Sequence, residues 1–208
     1  MEEAGLTKAN LIQMPSFSIK NVYHKMLGTH TKVAWRKLMC NNPGSPKWLF
    51  ILFLVIHKRL YTKDRLIRWG MQLCPKCPLC ENEPECIDHL FFQCSVTTAV
   101  WSKILQWQGI RRTTRSWSEE LHWCETRNTG KGSDATIYRM SLAATIYELW
   151  LERNHRAFQS KRRSEVAIVK KIIQEVFVRA QQMLKGIPYY GIQFRILKEN
   201  SLNILKQL

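Results

Sequence analysis

Apolar positions along this chain recur mostly at helical spacing. Ile19, Val22, Tyr23, Met26 and Leu27 follow an i, i+3, i+4, i+7, i+8 pattern behind Ser18, a suitable N-cap, and Gly28 is a stop. A short helix is expected over 33–39 with Trp35 and Leu38 inward, then a break at Asn41-Asn42-Pro43-Gly44-Ser45-Pro46. Trp48 to Leu60 is apolar nearly all round and reads as a central helix. Thr62 is placed to cap the next helix, with Asp64 in its positive first turn, Tyr61 and Leu66 spaced as a hydrophobic staple, and Gly70 at its end. Ser95 caps a helix whose apolar face carries Val96, Val100, Trp101, Ile104 and Leu105. Two long helices follow. One spans about 134–158, with Ile137, Met140, Ile146, Leu149 and Trp150. The other starts near Ser164, repeats Val169, Ile172, Ile173, Val176, Phe177 and Ala180, and ends at Gly186-Ile187-Pro188.

These elements divide the chain into a loose lead-in (1–15), a helical module (16–107), a basic, Thr/Ser-rich exposed connection (108–133), a helical hairpin or C-terminal helical region (134–185) and a tail of undecided structure (186–208). Neither an internal repeat nor a strand pair stands out. The expected fold class is mostly α, a small helical module followed by two long C-terminal helices.

Charge changes the picture. Among 208 residues, 32 Lys and Arg face 16 Asp and Glu, a net +16. Such a field favours polyanionic partners, nucleic acid first and an anionic membrane surface second. The longest apolar run, Trp48 to Ile56, is nine residues, half of the ~18 needed to span a bilayer, so no membrane span is expected. The N-terminal stretch MEEAGLTKANLIQM is polar, mixed in charge and without an apolar h-region. Seven cysteines, an odd number, fit reduced, metal-binding thiols in the nucleus or cytoplasm better than a disulfide framework.

Four residues concentrate the chemistry. Cys77, Cys80, His89 and Cys94 are spaced Cys-x2-Cys-x8-His-x4-Cys, which can close three thiolates and one imidazole around Zn²⁺. A site filled by four protein ligands leaves no position for water or substrate and is structural. Spacing alone also admits Cys74, Cys77, Cys86 and His89, since Cys74-x2-Cys77 is a second pair and Cys86 and His89 lie one helical turn apart. The tight Cys77-Pro78-Leu79-Cys80 knuckle and the solvated ENEPE loop favour the outer set. Isolated Cys40 and Cys124 read as small buried hydrophobes. His57 reads as a packing or surface residue, and Glu152 with Arg156 as an ordinary helix pair.

The stretch from Phe17 to Trp107 resembles the zinc-binding domain that follows the reverse transcriptase in plant LINE-type (non-LTR) retroelement polyproteins. The resemblance is carried by Phe17-Ser18-Ile19-Lys20 with Tyr23, by Trp35, by Pro46-Lys47 before an apolar helix, and by Arg59-Leu60-Tyr61-Thr62-Lys63-Asp64-Arg65-Leu66 with Trp69-Gly70. It continues through Cys77-Pro78-Leu79-Cys80, Glu85, His89-Leu90-Phe91-Phe92-Gln93-Cys94 and Val100-Trp101. Ile146 to Asn154 is similar to the segment that often trails this domain. The resemblance implies that Cys77, Cys80, His89 and Cys94 hold one structural zinc. Cys74 lies outside its motif, Cys86 stands where a small polar residue is expected, and Cys40 where Trp is usual.

A Tyr/Phe-x-Asp-Asp palm signature is not found, and the carboxylates form no two-metal constellation, so the chain is not expected to be an enzyme. The expected function is a non-catalytic zinc module, a remnant or solo copy of a retroelement polyprotein, contacting an RNA template or DNA target beside a polymerase. Candidate phosphate contacts are Lys58, Arg59, Lys63, Arg65, Arg68, Arg111, Arg112, Arg115, Lys161, Arg162 and Arg163. Trp69 and Trp107 can stack on bases, against a competing reading as core. The alternative function is a protein-interaction module docking on a reverse transcriptase in trans, or on another partner, without touching nucleic acid.

Overall fold

The computed structural model describes residues 18–20, 23, 33, 35–127, 130, 132–183 and 199–200. Two compact units are present, Met1–Ala34 and Trp35–Leu208. In the first, Ile19, Lys20 and Tyr23 are helical. The rest of the helix expected there, and Gly28, lie outside the described residues, as does the Gly186-Ile187-Pro188 stop.

Eight helices are described in the second unit: α1 (Arg36–Cys40), α2 (Pro46–Ile56), α3 (Lys63–Arg68), α4 (Ile87–Leu90), α5 (Ser95–Trp107), α6 (Trp117–Arg127), α7 (Ser133–Gln159) and α8 (Glu165–Met183). Among the described residues the fold is mostly α, and α7 and α8 are the long helices. Among the described residues the only pairing of extended chain is one antiparallel bridge, Lys76 with Pro84.

Local chemistry explains the boundaries. Pro46 opens α2 at its first position, where a missing N–H costs nothing. Three helices end in the same way, with a residue at positive φ and an N–H reaching back five residues. Lys58 (φ 51°) ends α2 with Arg59 N–H to Leu54 O at 2.7 Å, and Gly70 (φ 90°) ends α3 with Met71 N–H to Leu66 O at 3.1 Å. Gly109 (φ 75°) ends α5 with Ile110 N–H to Leu105 O at 2.9 Å. The expected helix to Leu60 therefore stops at Ile56, and Cys94 rather than Ser95 is the N-cap of α5.

The central helix is α7, not α2. Residues from Ser133 to Arg153 are almost continuously buried, and α2, α5 and α8 all pack against α7. Meanwhile α2 leaves Phe50 61% exposed. Apolar composition alone did not rank the two helices, because rank depends on how many neighbours surround each one. α8 also packs on α5, and α1 meets α6. The polar break before α2 is tied down: Asn42 Nδ2 donates to Arg139 O at 2.8 Å and Arg179 Nε to Pro43 O at 2.9 Å.

The expected exposed connection at 108–133 contains α6, whose Trp117, Glu120 and Cys124 are buried. Its start is a capping box. Ser116 donates from N (3.0 Å) and Oγ (2.6 Å) to the Glu119 carboxylate, and Ser116 Oγ accepts from Glu119 N at 3.5 Å. Beneath it, Arg112 and Tyr138 both donate to the buried Glu120 carboxylate. Cys124 is a buried hydrophobe as expected, whereas Cys40 is exposed, since α1 turns only Leu38 fully inward.

Candidate metal centre

The loop between α3 and α5 folds as a clip. Cys77 N–H bonds Glu83 O at 2.7 Å, and Glu85 N–H bonds Pro75 O at 2.8 Å, on either side of the Lys76–Pro84 bridge. Within the clip, Glu81 N–H returns to Cys77 O at 2.8 Å and Glu81 sits at φ 60°, so the knuckle closes on itself and turns both of its thiols the same way. α4 supplies the imidazole. Its N-cap is Cys86, whose Sγ accepts the His89 N–H at 3.3 Å and orients the turn that carries the ring.

Phe92 then takes φ 80°, unusual for a bulky residue. It is held there by its ring stacked on Trp101 (centroids 5.2 Å apart) and by Thr98 Oγ1 donating to its carbonyl at 2.8 Å. This reversal, with Cys94 N–H on His89 O at 2.8 Å, returns Cys94 to the knuckle.

The four donor atoms of Cys77, Cys80, His89 and Cys94 lie within 4.8 Å of one another. Cys80 Sγ is 3.3 Å from His89 Nε2. Zinc–ligand bonds of ~2.0–2.3 Å imply donor separations of about 3.8 Å at most, so small side-chain adjustments close the tetrahedron. The chemistry of the donors fits the ion. Cys77 and Cys94 are fully buried. The hydrogen bond the two thiols share, together with burial at Cys77, shifts Cys77 up and Cys94 down, so their sulfurs already face each other. Burial lowers His89 and keeps its ring neutral, the form that ligates. The cluster fits one structural zinc ion. The competing set is not assembled: Cys74 is exposed outside the group and Cys86 is spent as a cap.

Residues 17–101 match the family model described as zinc-binding in reverse transcriptase. That segment carries a zinc-binding domain of the reverse-transcriptase type. Such a domain is an accessory module, not a catalytic one. No match was found among curated proteins or among solved structures.

The structure adds a support that lies beyond the matched segment. Arg153 of α7 donates from Nε and Nη2 to both oxygens of Glu85, at 2.7 and 3.0 Å, with both side chains buried. One turn on, Arg156 Nη1 donates to Leu79 O at 2.8 Å, inside the knuckle, and Arg162 pairs with Glu81. Glu152 is also not an ordinary surface partner. It is fully buried and accepts from Arg156 Nε (2.7 Å), Arg163 N (2.9 Å) and Arg163 Nε (2.8 Å). Sequence reasoning singled out Glu85 and the Ile146–Asn154 segment separately, but nothing in the spacing paired them.

The candidate phosphate contacts divide. Arg112 is drawn to buried Glu120, and Arg163 to buried Glu148 and Glu152. Lys58 pairs with Asp88 (3.1 Å) and Arg68 with Asp64 (3.1 Å) at the surface. Lys63 Nζ donates to Lys76 O at 2.7 Å, and Arg65 Nη1 to Lys58 O at 2.6 Å. Arg59, Arg111, Arg115 and Lys161 are exposed. Lys63 and Arg162 line a cavity of about 670 Å³ between the clip and α7, together with Lys76, Arg153, Arg156 and Phe158. Its arginines already serve Glu85, Glu152 and Glu81. Trp107 is core, while Trp69 is exposed.

Proposed function

We propose that this chain is a non-catalytic structural-zinc module of the plant LINE-type retroelement class, contacting RNA template or DNA target beside a polymerase supplied in trans. The observation that carries the zinc part is the closed set of three thiols and one imidazole inside a segment matching a reverse-transcriptase zinc-binding family. A filled coordination sphere offers no Lewis-acid position, which supports a structural role. Cys77, Cys80, His89 and Cys94 are its ligands. Three ligating thiols need a reducing setting, which supports an intracellular location. Among the described residues no helix is long and apolar enough to cross a membrane.

Nucleic-acid contact is supported by the net charge of +16 and by the five cations between Lys58 and Arg68 on and before α3. A filter-binding series from low to moderate salt tests it. Affinity is expected to fall linearly in log–log form, with a slope of about −0.7 per phosphate contact on single strands. Weak binding that ignores salt overturns the reading.

A protein-docking reading is favoured by one observation: the outer face of α2, where Phe50 and Phe53 are exposed beside Trp35 and His57. It requires a complex with a reverse transcriptase that Phe50→Ser disrupts, and salt-insensitive nucleic-acid binding.

A further inference from the structure

Two aromatic rings stand in water beside α3, held rather than loose. Tyr61 and Trp69 are 61% and 58% exposed, and their rings meet edge-on with centroids 5.6 Å apart. Arg65, four residues before Trp69, holds its guanidinium 5.1 Å over the Trp69 ring. Arg65 is itself anchored on the carbonyls of Lys58 (2.6 Å) and Leu60 (3.4 Å), which the left-handed turn at Lys58 brings back toward α3. Met71 and Leu73 extend the exposed apolar surface beyond Gly70.

The charge around the rings identifies the ligand. From 58 to 69 the chain carries five cations; Asp88 pairs with Lys58 and Asp64 with Arg68 at the surface, while Lys63 and Arg65 bond backbone carbonyls and Arg59 is exposed. An apolar protein partner would have to desolvate those cations. An anionic strand with accessible ring faces would satisfy both features, neutralising the cations with phosphates and covering the rings with bases. A duplex offers phosphates but keeps its base faces stacked inside.

Resting on the nucleic-acid reading above, we infer that Tyr61, Arg65 and Trp69 form a stacking platform for unpaired bases of a single strand. The basic segment 58–68 tracks the strand's backbone. Trp107, buried in the core, takes no part.

The test uses the zinc-loaded full chain at one low salt concentration, with short labelled probes: single-stranded RNA, single-stranded DNA, the duplex, and an abasic strand with the same phosphates. Wild type is expected to hold base-bearing single strands about tenfold or more tighter than the abasic strand. Trp69→Ala with Tyr61→Ala is expected to remove that preference, leave abasic binding and its salt slope unchanged, and keep the zinc content. Trp69→Phe is expected to restore most of it. Equal wild-type affinity for base-bearing and abasic strands overturns the platform while leaving phosphate contact standing. So does a full preference in the double variant, the result expected if the rings serve protein docking. Binding to none of the probes overturns the nucleic-acid reading and the platform together. The RNA and DNA arms tell which strand the surface prefers.

Discussion

Arg153 and Glu85, 68 residues apart, form a two-pronged ion pair at 2.7 and 3.0 Å, with side chains 3% and 0% exposed. It fastens the zinc clip to the central helix. Removing one partner strands a buried charge, at a cost of about 3–5 kcal/mol, whereas apolar replacement of both is often close to neutral. Arg153→Met or Glu85→Leu alone is therefore expected to lower the denaturation free energy by that amount, and the double variant to recover most of it. A double-mutant cycle by chemical denaturation checks this. Additive losses would mean that the two side chains do not act as a pair.

Zinc removal should reach further than the clip. Leu79, Ile87, Leu90 and Phe91 belong to the same buried cluster as Trp101, Ile146 and Leu149. Apparent zinc binding of about 10 kcal/mol or more counts as folding energy in such modules. Chelation, Cys80→Ala or His89→Ala is expected to abolish a stoichiometry of one zinc per chain and to lower the main thermal transition, not only order in 70–107. Metal analysis with circular dichroism decides, and an unchanged melt in both variants would count against a held metal.

Six of the seven thiols should separate by reactivity. Cys40 and Cys74 are exposed and are expected to alkylate first. Burial pushes the Cys124 thiol up to about 12, so it should stay unreactive in the folded protein. Cys77, Cys80 and Cys94 should be protected with zinc and labelled after chelation. Mass spectrometry with and without chelator reads the pattern. Rapid labelling of Cys80 and Cys94 in zinc-loaded protein would contradict the assigned ligands.

Glu152 gives a pH signature. Burial raises its carboxyl, but the hydrogen bonds from Arg163 and Arg156 prevail and hold it below the ordinary 4.5. A depressed native value contributes stability that is present above the ordinary one and is lost as pH falls through the native one. The gap in melting temperature between wild type and Glu152→Gln should hold steady above about pH 5 and narrow below 4.5. Metal loss in acid affects both proteins, so the gap isolates Glu152. A gap that widens in acid would refute the assignment.

Local signals were readable wherever neighbours in sequence are also neighbours in space. The N-cap position of Thr62, the helix start near Ser164, the Gly70 stop and the two long helices needed nothing more. The knuckle and His89–Cys94 pair also sit within one short segment, so their spacing pointed to the cage. The Ser116–Glu119 box was equally local, yet the polar, basic flanks of α6 masked its one buried side.

What the sequence by itself determined is the helical periodicity, the positive charge and the short segment that holds the zinc donors, because each depends on residues a turn or a loop apart; which of two donor sets assembles was left to the fold. Only the tertiary structure decided that α7 is the central helix, that Arg153, Arg156 and Arg163 serve buried carboxylates and a carbonyl rather than solvent, and that Trp69 is exposed while Trp107 is sealed. A cation or an indole reads the same in sequence whether it meets water or a partner many residues away. The packing of α2, α5 and α8 around α7 settles which it meets.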